Sequence, residues 1–399
     1  MKSTKILGNQ ETENLRDRLL RQAGEDKIVK EVIEGKDVPD AADISKTGLR
    51  KLRFKPCKEA EELIEGIEKD IKFYEGEGSK LISQGRMLEE NILVSDNALL
   101  AIAYNILGRH NDADQIFKGI EENRGFNDLG LVKTNTIKSA YDNILLCMTH
   151  YAAFLSKRDY YGLPKAWDLE RAIKANIGFR IFDDGSMLVK AGPGEPDIYT
   201  IDNILLAFAY LLAGSNENAF KIVNGIDKLR FKRFEQSNDT PRGVSKLVNA
   251  GAYAGDFDAY TSHNAMLSIL YDVLGRETEA LQLQEGFLRI GYDYTGAREG
   301  MLIKDNVKYK PKSDTPIQSK GFFTRDNALA AAAYLASGNI TFADLLFKGI
   351  EEQIELYEGS KGGKLVNIST HERLYARTED NVLLALAYML REGCKDKNE

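Results

Sequence analysis

Apolar side chains gather in this chain into six short, almost wholly nonpolar stretches, each introduced by the same polar pair. The stretches open Asp96-Asn97-Ala98-Leu99-Leu100, Asp142-Asn143-Ile144-Leu145-Leu146, Asp202-Asn203-Ile204-Leu205-Leu206, His263-Asn264-Ala265-Met266-Leu267, Asp326-Asn327-Ala328-Leu329-Ala330 and Asp380-Asn381-Val382-Leu383-Leu384. Seven residues after the Asn stand Tyr104, Tyr210, Tyr271, Tyr334 and Tyr388, with His150 in the second copy; eleven after it stand Gly108, Gly214, Gly275 and Gly338. A helix that is apolar on every side is buried on every side. Thr200, Thr261, Thr324 and Thr378 precede the Asp/His slot by two residues. With that slot they offer oxygens to cap the helix that follows. The glycine suits its C-terminus.

Sixteen residues after the Asn a second pattern begins. It reads Ala113, Ile116, Phe117, Gly119, Ile120, then Ala219, Ile222, Val223, Gly225, Ile226, and Ala343, Leu346, Phe347, Gly349, Ile350, with a looser copy at Ala280, Leu283, Gly286, Phe287. Spacing of i, i+3, i+4 and i+7 predicts an amphipathic helix. Its glycine is expected to let two helices approach closely. A degenerate copy runs Ala172, Ala175, Gly178, Phe179, after a connection whose turn carries Trp167.

The last inner helix, from Asp380, has no outer partner after it, and an orphan outer pattern (Ala60, Leu63, Ile64, Gly66, Ile67) has no inner helix before it. The two halves complete one another. The pattern therefore predicts an all-α (α/α)6 toroid of six helical hairpins over residues 51–399, closed by pairing of its N- and C-terminal helices. An open solenoid would instead begin and end in polar capping repeats. Residues 1–50 are charged and poorly periodic, a separate N-terminal segment.

Turns from inner to outer helix are short, such as Gly108 to Asp112, whereas the returns are long, such as Gly225 to His263 and Gly286 to Asp326. All long returns thus fall on the face where the inner helices begin. Long loops on a rigid scaffold carry function, and helix N-termini favour anions and carboxylates. Several returns place a short β-like run ahead of an aromatic. Gly185-Ser186-Met187-Leu188-Val189 leads to Tyr199, Gly300-Met301-Leu302-Ile303 to Phe323, and Gly363-Lys364-Leu365-Val366 to Tyr375. Short β-hairpins rimming a mouth are expected.

Composition narrows the class. With 54 basic and 61 acidic residues interspersed, a net charge of −7 and no basic block, nucleic acid is excluded as a partner. The three cysteines, Cys57, Cys147 and Cys394, are scattered and odd in number, which fits a reducing compartment rather than a disulfide framework. The N-terminus lacks an apolar signal region, and the longest apolar runs, such as 204–213, reach about half a membrane span. A cytoplasmic location without membrane contact is expected. No Walker loop, dinucleotide fingerprint or zinc spacing is present, so neither cofactor nor metal is expected.

Repetition sorts the candidate chemistry. A feature present in every copy serves the fold; a departure at one copy is the better functional candidate. His263 replaces the Asp of the other five copies, and His150, two turns into an inner helix, reads as a core histidine. The residue before the Asp varies through Ser95, Tyr141, Ile201, Ser262, Arg325 and Glu379, so that Glu379 and Arg325 set opposite charges on neighbouring repeats. They form either a structural ion pair or part of a site. The loops add Glu195, Asp197, Asp256, Asp258 and Glu372. Paired carboxylates across a cavity are what glycoside hydrolysis requires. The candidate catalytic set is therefore Glu195, Asp197, Asp256, Asp258, Glu372 and Glu379, with His263 as an auxiliary acid/base or hydroxyl contact. Tyr199, Tyr260, Phe323, Tyr375 and Arg325 are candidate substrate contacts.

These Asp-Asn inner helices, paired with Ala-x-x-Ile-Phe-x-Gly-Ile outer helices over residues 55–395, resemble the six-hairpin glycosidase superfamily. The resemblance implies a substrate cavity at the inner-helix N-termini, worked by carboxylates on the surrounding loops. It implies glycoside hydrolysis, with sugar epimerisation or uronate elimination as related outcomes, and a cytoplasmic location favours a small oligosaccharide as substrate. A non-catalytic ring that binds a glycan, peptide or protein in the same cavity is the alternative, because fold analogy does not fix function. The oligomeric state is left open.

Overall fold

The computed structural model describes residues 52–86, 91–123, 131–132, 140–157, 162–228, 247–248, 250–251, 259–290, 292–294, 300–304, 306–308, 317–318, 321–370 and 375–395. The N-terminal segment, Asp256, Asp258 and Glu372 lie outside them. Six inner helices stand among the described residues: α2 (Val94–Ile106), α4 (Ala140–Lys157), α6 (Thr200–Leu212), α8 (Thr261–Val273), α10 (Thr324–Ala336) and α12 (Thr378–Lys395). Six outer helices alternate with them: α1 (Lys58–Asp70), α3 (His110–Asn123), α5 (Gly162–Ala172), α7 (Asn216–Asp227), α9 (Glu277–Ile290) and α11 (Ile340–Gly349). Each inner helix packs on the next, and α12 packs on both α1 and α2. The ring is closed, as the half-hairpins at the two ends predict.

Four returns fold as antiparallel hairpins: β1 (Phe73–Gly76) with β2 (Ser79–Ile82), β4 (Phe179–Ile181) with β5 (Met187–Val189), β6 (Tyr292–Tyr294) with β7 (Met301–Ile303), and β8 (Leu356–Glu358) with β9 (Lys364–Val366). The repeated asparagine joins each return to the helix that follows. Asn203 Oδ1 accepts from Val189 N at 2.7 Å, and its Nδ2 donates to Val189 O at 3.1 Å and to Tyr199 O, just ahead of α6, at 2.8 Å. Asn97 holds Ile82, Asn264 holds Val248, Asn327 holds Ile303 and Asn381 holds Val366 in the same two-way manner. Asn143 accepts from Val132 N at 2.7 Å. All six amides are fully buried. Each acts as a one-residue strand edge, satisfying backbone groups that would otherwise be orphaned between a sheet and a helix start.

The outer-helix glycine has a different partner from the one expected. A Cβ on Gly225 would stand 2.5 Å from Met187 O, and Gly119, Gly349 and Gly66 meet Lys80 O, Met301 O and Lys364 O in the same way. The close approach is between an outer helix and the carbonyl of a hairpin strand, because the hairpin lies across the helix. The Gly66 contact bridges the two ends of the chain, so the seam repeats the packing found elsewhere in the ring. Beside it Thr378 N donates to Gln84 O and Thr378 Oγ1 to Ser83 O, and β10 (Ala376–Arg377) pairs with β3 (Gly85–Arg86).

Inner helices also bond back to the end of the preceding outer helix or the turn that follows it. Tyr104 Oη donates to Glu68 at 2.8 Å and Tyr388 Oη to Glu351 at 2.6 Å, while Tyr271 bonds Asp227. His150 is a core residue as expected, stacked on Phe117 with ring centroids 4.7 Å apart. Trp167 lies within α5 rather than in a turn: the buried face of that helix is Leu163, Ala166 and Leu169, and it runs on through a π-helical turn at Ile173–Ile177. The degenerate copy of the outer pattern had placed this helix too late in the chain.

Asn327→Asp replaces the two Nδ2–H donors with carboxylate oxygen against the carbonyls of Ile303 and Phe323. Denaturant unfolding of this variant is expected to show a loss of about 3–5 kcal/mol.

Candidate active site at the mouth of the ring

The Asp-Asn phrase fixes which residues stand at the mouth. With the Asn buried against its strand, the two residues before it become the second and third residues of an inner helix, on the face where all six inner helices begin. The expected capping role of the Asp is corrected in one respect. The residues that cap α2, α6, α8 and α10 are Leu93, Tyr199, Tyr260 and Phe323, none with a side-chain cap bond. The Asp instead caps the neighbouring helix: Asp142 Oδ1 accepts from Ser95 N at 3.1 Å, and Asp326 Oδ1 from Ser262 N at 3.0 Å. The threonines likewise bond outward, Thr261 Oγ1 to Lys304 O and Thr324 Oγ1 to Asn367 O, each at 2.5 Å.

Closure of the ring sets α12 beside α2 and gathers charge there. Asp96 is 2% exposed and Asp380 3%, and the Oδ2 of each has no hydrogen-bond partner among the described residues. Burial raises the Asp96 pKa well above the usual carboxylate range, and Glu379, Asp380 and Asp142 add to it. Burial and then Glu379 push Asp380 up to about 7, against the opposing pull of Arg325 and Arg377. Burial and Glu379 also raise the Tyr141 phenol, keeping it a donor. Asp326, foremost, with Glu379 and Asp380 strengthens the hold of Arg325 on its proton. Arg325 Nη1 stands 4.0 Å from Glu379 Oε2, beyond hydrogen-bond distance, with both side chains partly exposed. The Nε atoms of Arg325 and Arg377 are buried without partners among the described residues.

Of the residues picked from the sequence, Glu379, Arg325 and His263 meet at this floor. His263 stays neutral: burial and the Arg325 charge push its pKa down to about 3. It is suited to a hydroxyl contact and not to proton exchange near neutrality. Its ring lies 5.1 Å from that of Tyr260. Tyr199, Tyr260 and Phe323 occupy equivalent positions, just ahead of their helices and half-buried, while Tyr375 is 41% exposed. Glu195 and Asp197 sit half-buried on the loop ahead of α6, in a turn closed by Glu195 N to Gly192 O. Asp96, Asp380, Tyr141 and Arg377 were not picked. The signal for Arg377 was present, since it fills the slot that Leu93, Tyr199, Tyr260 and Phe323 hold in other repeats. Asp96 and Asp380 look in sequence like every other copy. No group of His, Cys, Asp or Glu among the described residues is arranged to hold a metal ion.

Solved structures share the closed helical-toroid fold of this chain. No family model and no curated protein sequence matches it. An α-amylase from Clostridium perfringens superposes with a TM-score of 0.58 at 15% identity, covering 83% of this chain and 97% of that one. An inactive variant of an α-1,6-mannanase from Salegentibacter sp. HEL1_6, bound to α-1,6-mannotriose, gives 0.59 at 13% identity over 84% and 98% of the two chains. A family 76 mannosidase from Bacteroides thetaiotaomicron gives 0.57 at 11% identity over 86% and 99%. These likenesses show the fold. No helix among the described residues is long and apolar enough to cross a membrane.

The Asp380 carboxyl has a folded-state pKa near 7, above the 3.8 of an unperturbed Asp. The folded chain therefore binds the extra proton between those values, and stability falls as pH rises through about 7. Asp380→Asn removes this dependence. Its melting temperature relative to the parent is expected to climb between pH 5 and 8, by about 1.4 kcal/mol of stability for each pH unit crossed below 7.

Proposed function

We propose that the chain binds a small oligosaccharide in the mouth and hydrolyses a glycosidic bond there. The observation that carries this reading is Asp380, buried and holding its proton near neutrality, next in sequence to Glu379, which faces the Arg325 guanidinium. A carboxyl that keeps its proton donates it to the departing glycosidic oxygen, and a carboxylate partner activates water or attacks the anomeric carbon. Asp380 takes the first role and Glu379 the second. The Salegentibacter mannanase gives support from outside the chain: it holds mannotriose when two consecutive aspartates are replaced by asparagine. Glu379-Asp380 is a consecutive carboxylate pair at the start of an inner helix. Glu195, Asp197, Asp256, Asp258 and Glu372 are the loop carboxylates to test as partners across the cavity.

One observation favours a second reading, a ring that binds a glycan without cleaving it. Arg325 offsets the charge of Glu379, as in a structural ion pair.

Mass spectrometry of a broad oligosaccharide panel incubated with the protein separates the two. Hydrolysis gives product pairs with one added water, and elimination gives an unsaturated product without it. Glu379→Gln and Asp380→Asn are each expected to cut kcat by about 100-fold or more while the protein stays folded. Binding without any product, with masses and chromatographic positions unchanged, would leave the binding ring as the function.

A further inference from the structure

The six repeats give a standard against which the mouth can be read. At the third position of the inner helices five copies carry Asp, and only α8 carries a neutral residue, His263. At the second position only α10 carries a cation, Arg325. These two departures fall on neighbouring helices and shift charge in the same direction, each by one positive unit relative to the rest of the ring. The acid native to this arc, Asp326, already accepts from Ser262 N. Three polar atoms here lack partners among the described residues: Ser262 Oγ, on a side chain 3% exposed, His263 Nδ1 and Arg325 Nε. Among the described residues the acid within ion-pair reach of the Arg325 guanidinium is Glu379, 4.0 Å away and too far for a hydrogen bond. The next helices round the ring, α12 and α2, bring Glu379, Asp380 and Asp96 at these positions.

We propose that the Ser262–His263–Arg325 arc is a subsite for an acidic sugar unit, whose carboxylate meets the guanidinium while the sugar face lies along Tyr260. A planar guanidinium fork fits a carboxylate in two-point contact. Hydroxyl and imidazole N–H groups add donors, and the starts of α8 and α10 favour an anion. Glu379 stands beside Arg325 at 4.0 Å, so a uronate held by the guanidinium sets the adjoining glycosidic bond against Glu379 and Asp380. The proposal rests on the sugar-binding reading above.

The test is calorimetry on the full chain with gluco-, galacto- and mannuronate oligosaccharides, each beside its carboxyl-reduced neutral counterpart. At least one uronate is expected to bind about tenfold more tightly than its reduced form. His263→Asp restores the acid of the other repeats, and Arg325→Gln removes the fork. In both variants the uronate-to-neutral ratio is expected to collapse to about one, with melting curves confirming that the ring is intact. Equal binding of both members of every pair overturns the acidic subsite and leaves sugar binding standing. So does a ratio that survives both substitutions. Failure of every sugar, neutral or acidic, removes the sugar reading itself.

Discussion

One buried amide per hairpin solves the problem on which the ring depends. Wherever a return strand ends and an inner helix begins, the strand leaves an N–H and a C=O unpaired and the helix leaves its first groups unpaired. Water cannot reach them, because the junction lies between an inner and an outer layer. An asparagine side chain carries both a donor and an acceptor and mimics the edge of a strand. Asn203 meets both groups of Val189 and also Tyr199 O, and four further copies do the same. Neither Asp nor Leu has both functions, so the residue is fixed by hydrogen-bond inventory.

That clamp also sets the site. Once the asparagine is locked, the two residues before it have no freedom of phase and must start the helix at the mouth. The Asp then reaches sideways to the next helix start, as Asp142 does to Ser95 N. Capping the neighbour rather than its own helix ties α4 to α2 and α10 to α8, and α12 packs on α2 across the seam. The floor cluster is a product of closure: Asp96 comes from the first inner helix, and Glu379 and Asp380 from the last.

The helices were legible because their burial is periodic. An inner helix wrapped by others is apolar all round, an outer one on a single stripe, and both patterns survive in sequence. Closure was legible from the two orphan half-hairpins. The glycine partner was not, because helix–helix and helix–strand contacts make the same demand for a missing Cβ; Gly225 against Met187 O could be told apart only in three dimensions. Reading departures as candidates picked out His263, Arg325 and Glu379, which the structure brings near one another. The same rule hid Asp96 and Asp380, which look like every other copy and differ only in the neighbours that closure gives them.

Six carboxylates converging on one axis would repel one another, and the ring relieves the crowding in four ways. Backbone N–H groups engage Asp142 and Asp326, Arg325 and Arg377 supply countercharge, Asp380 keeps its proton until about pH 7, and the fourth repeat replaces the acid with His263. Charge relief alone does not account for the last of these. Any small neutral side chain would serve, and a histidine brings an Nδ1 that finds no partner among the described residues, beside an equally unpartnered Ser262 hydroxyl and Arg325 Nε. A buried polar atom without a partner costs about 1–3 kcal/mol. Three of them on adjoining helices raise that cost with no gain in folding, and a ligand that accepts hydrogen bonds from all three recovers it.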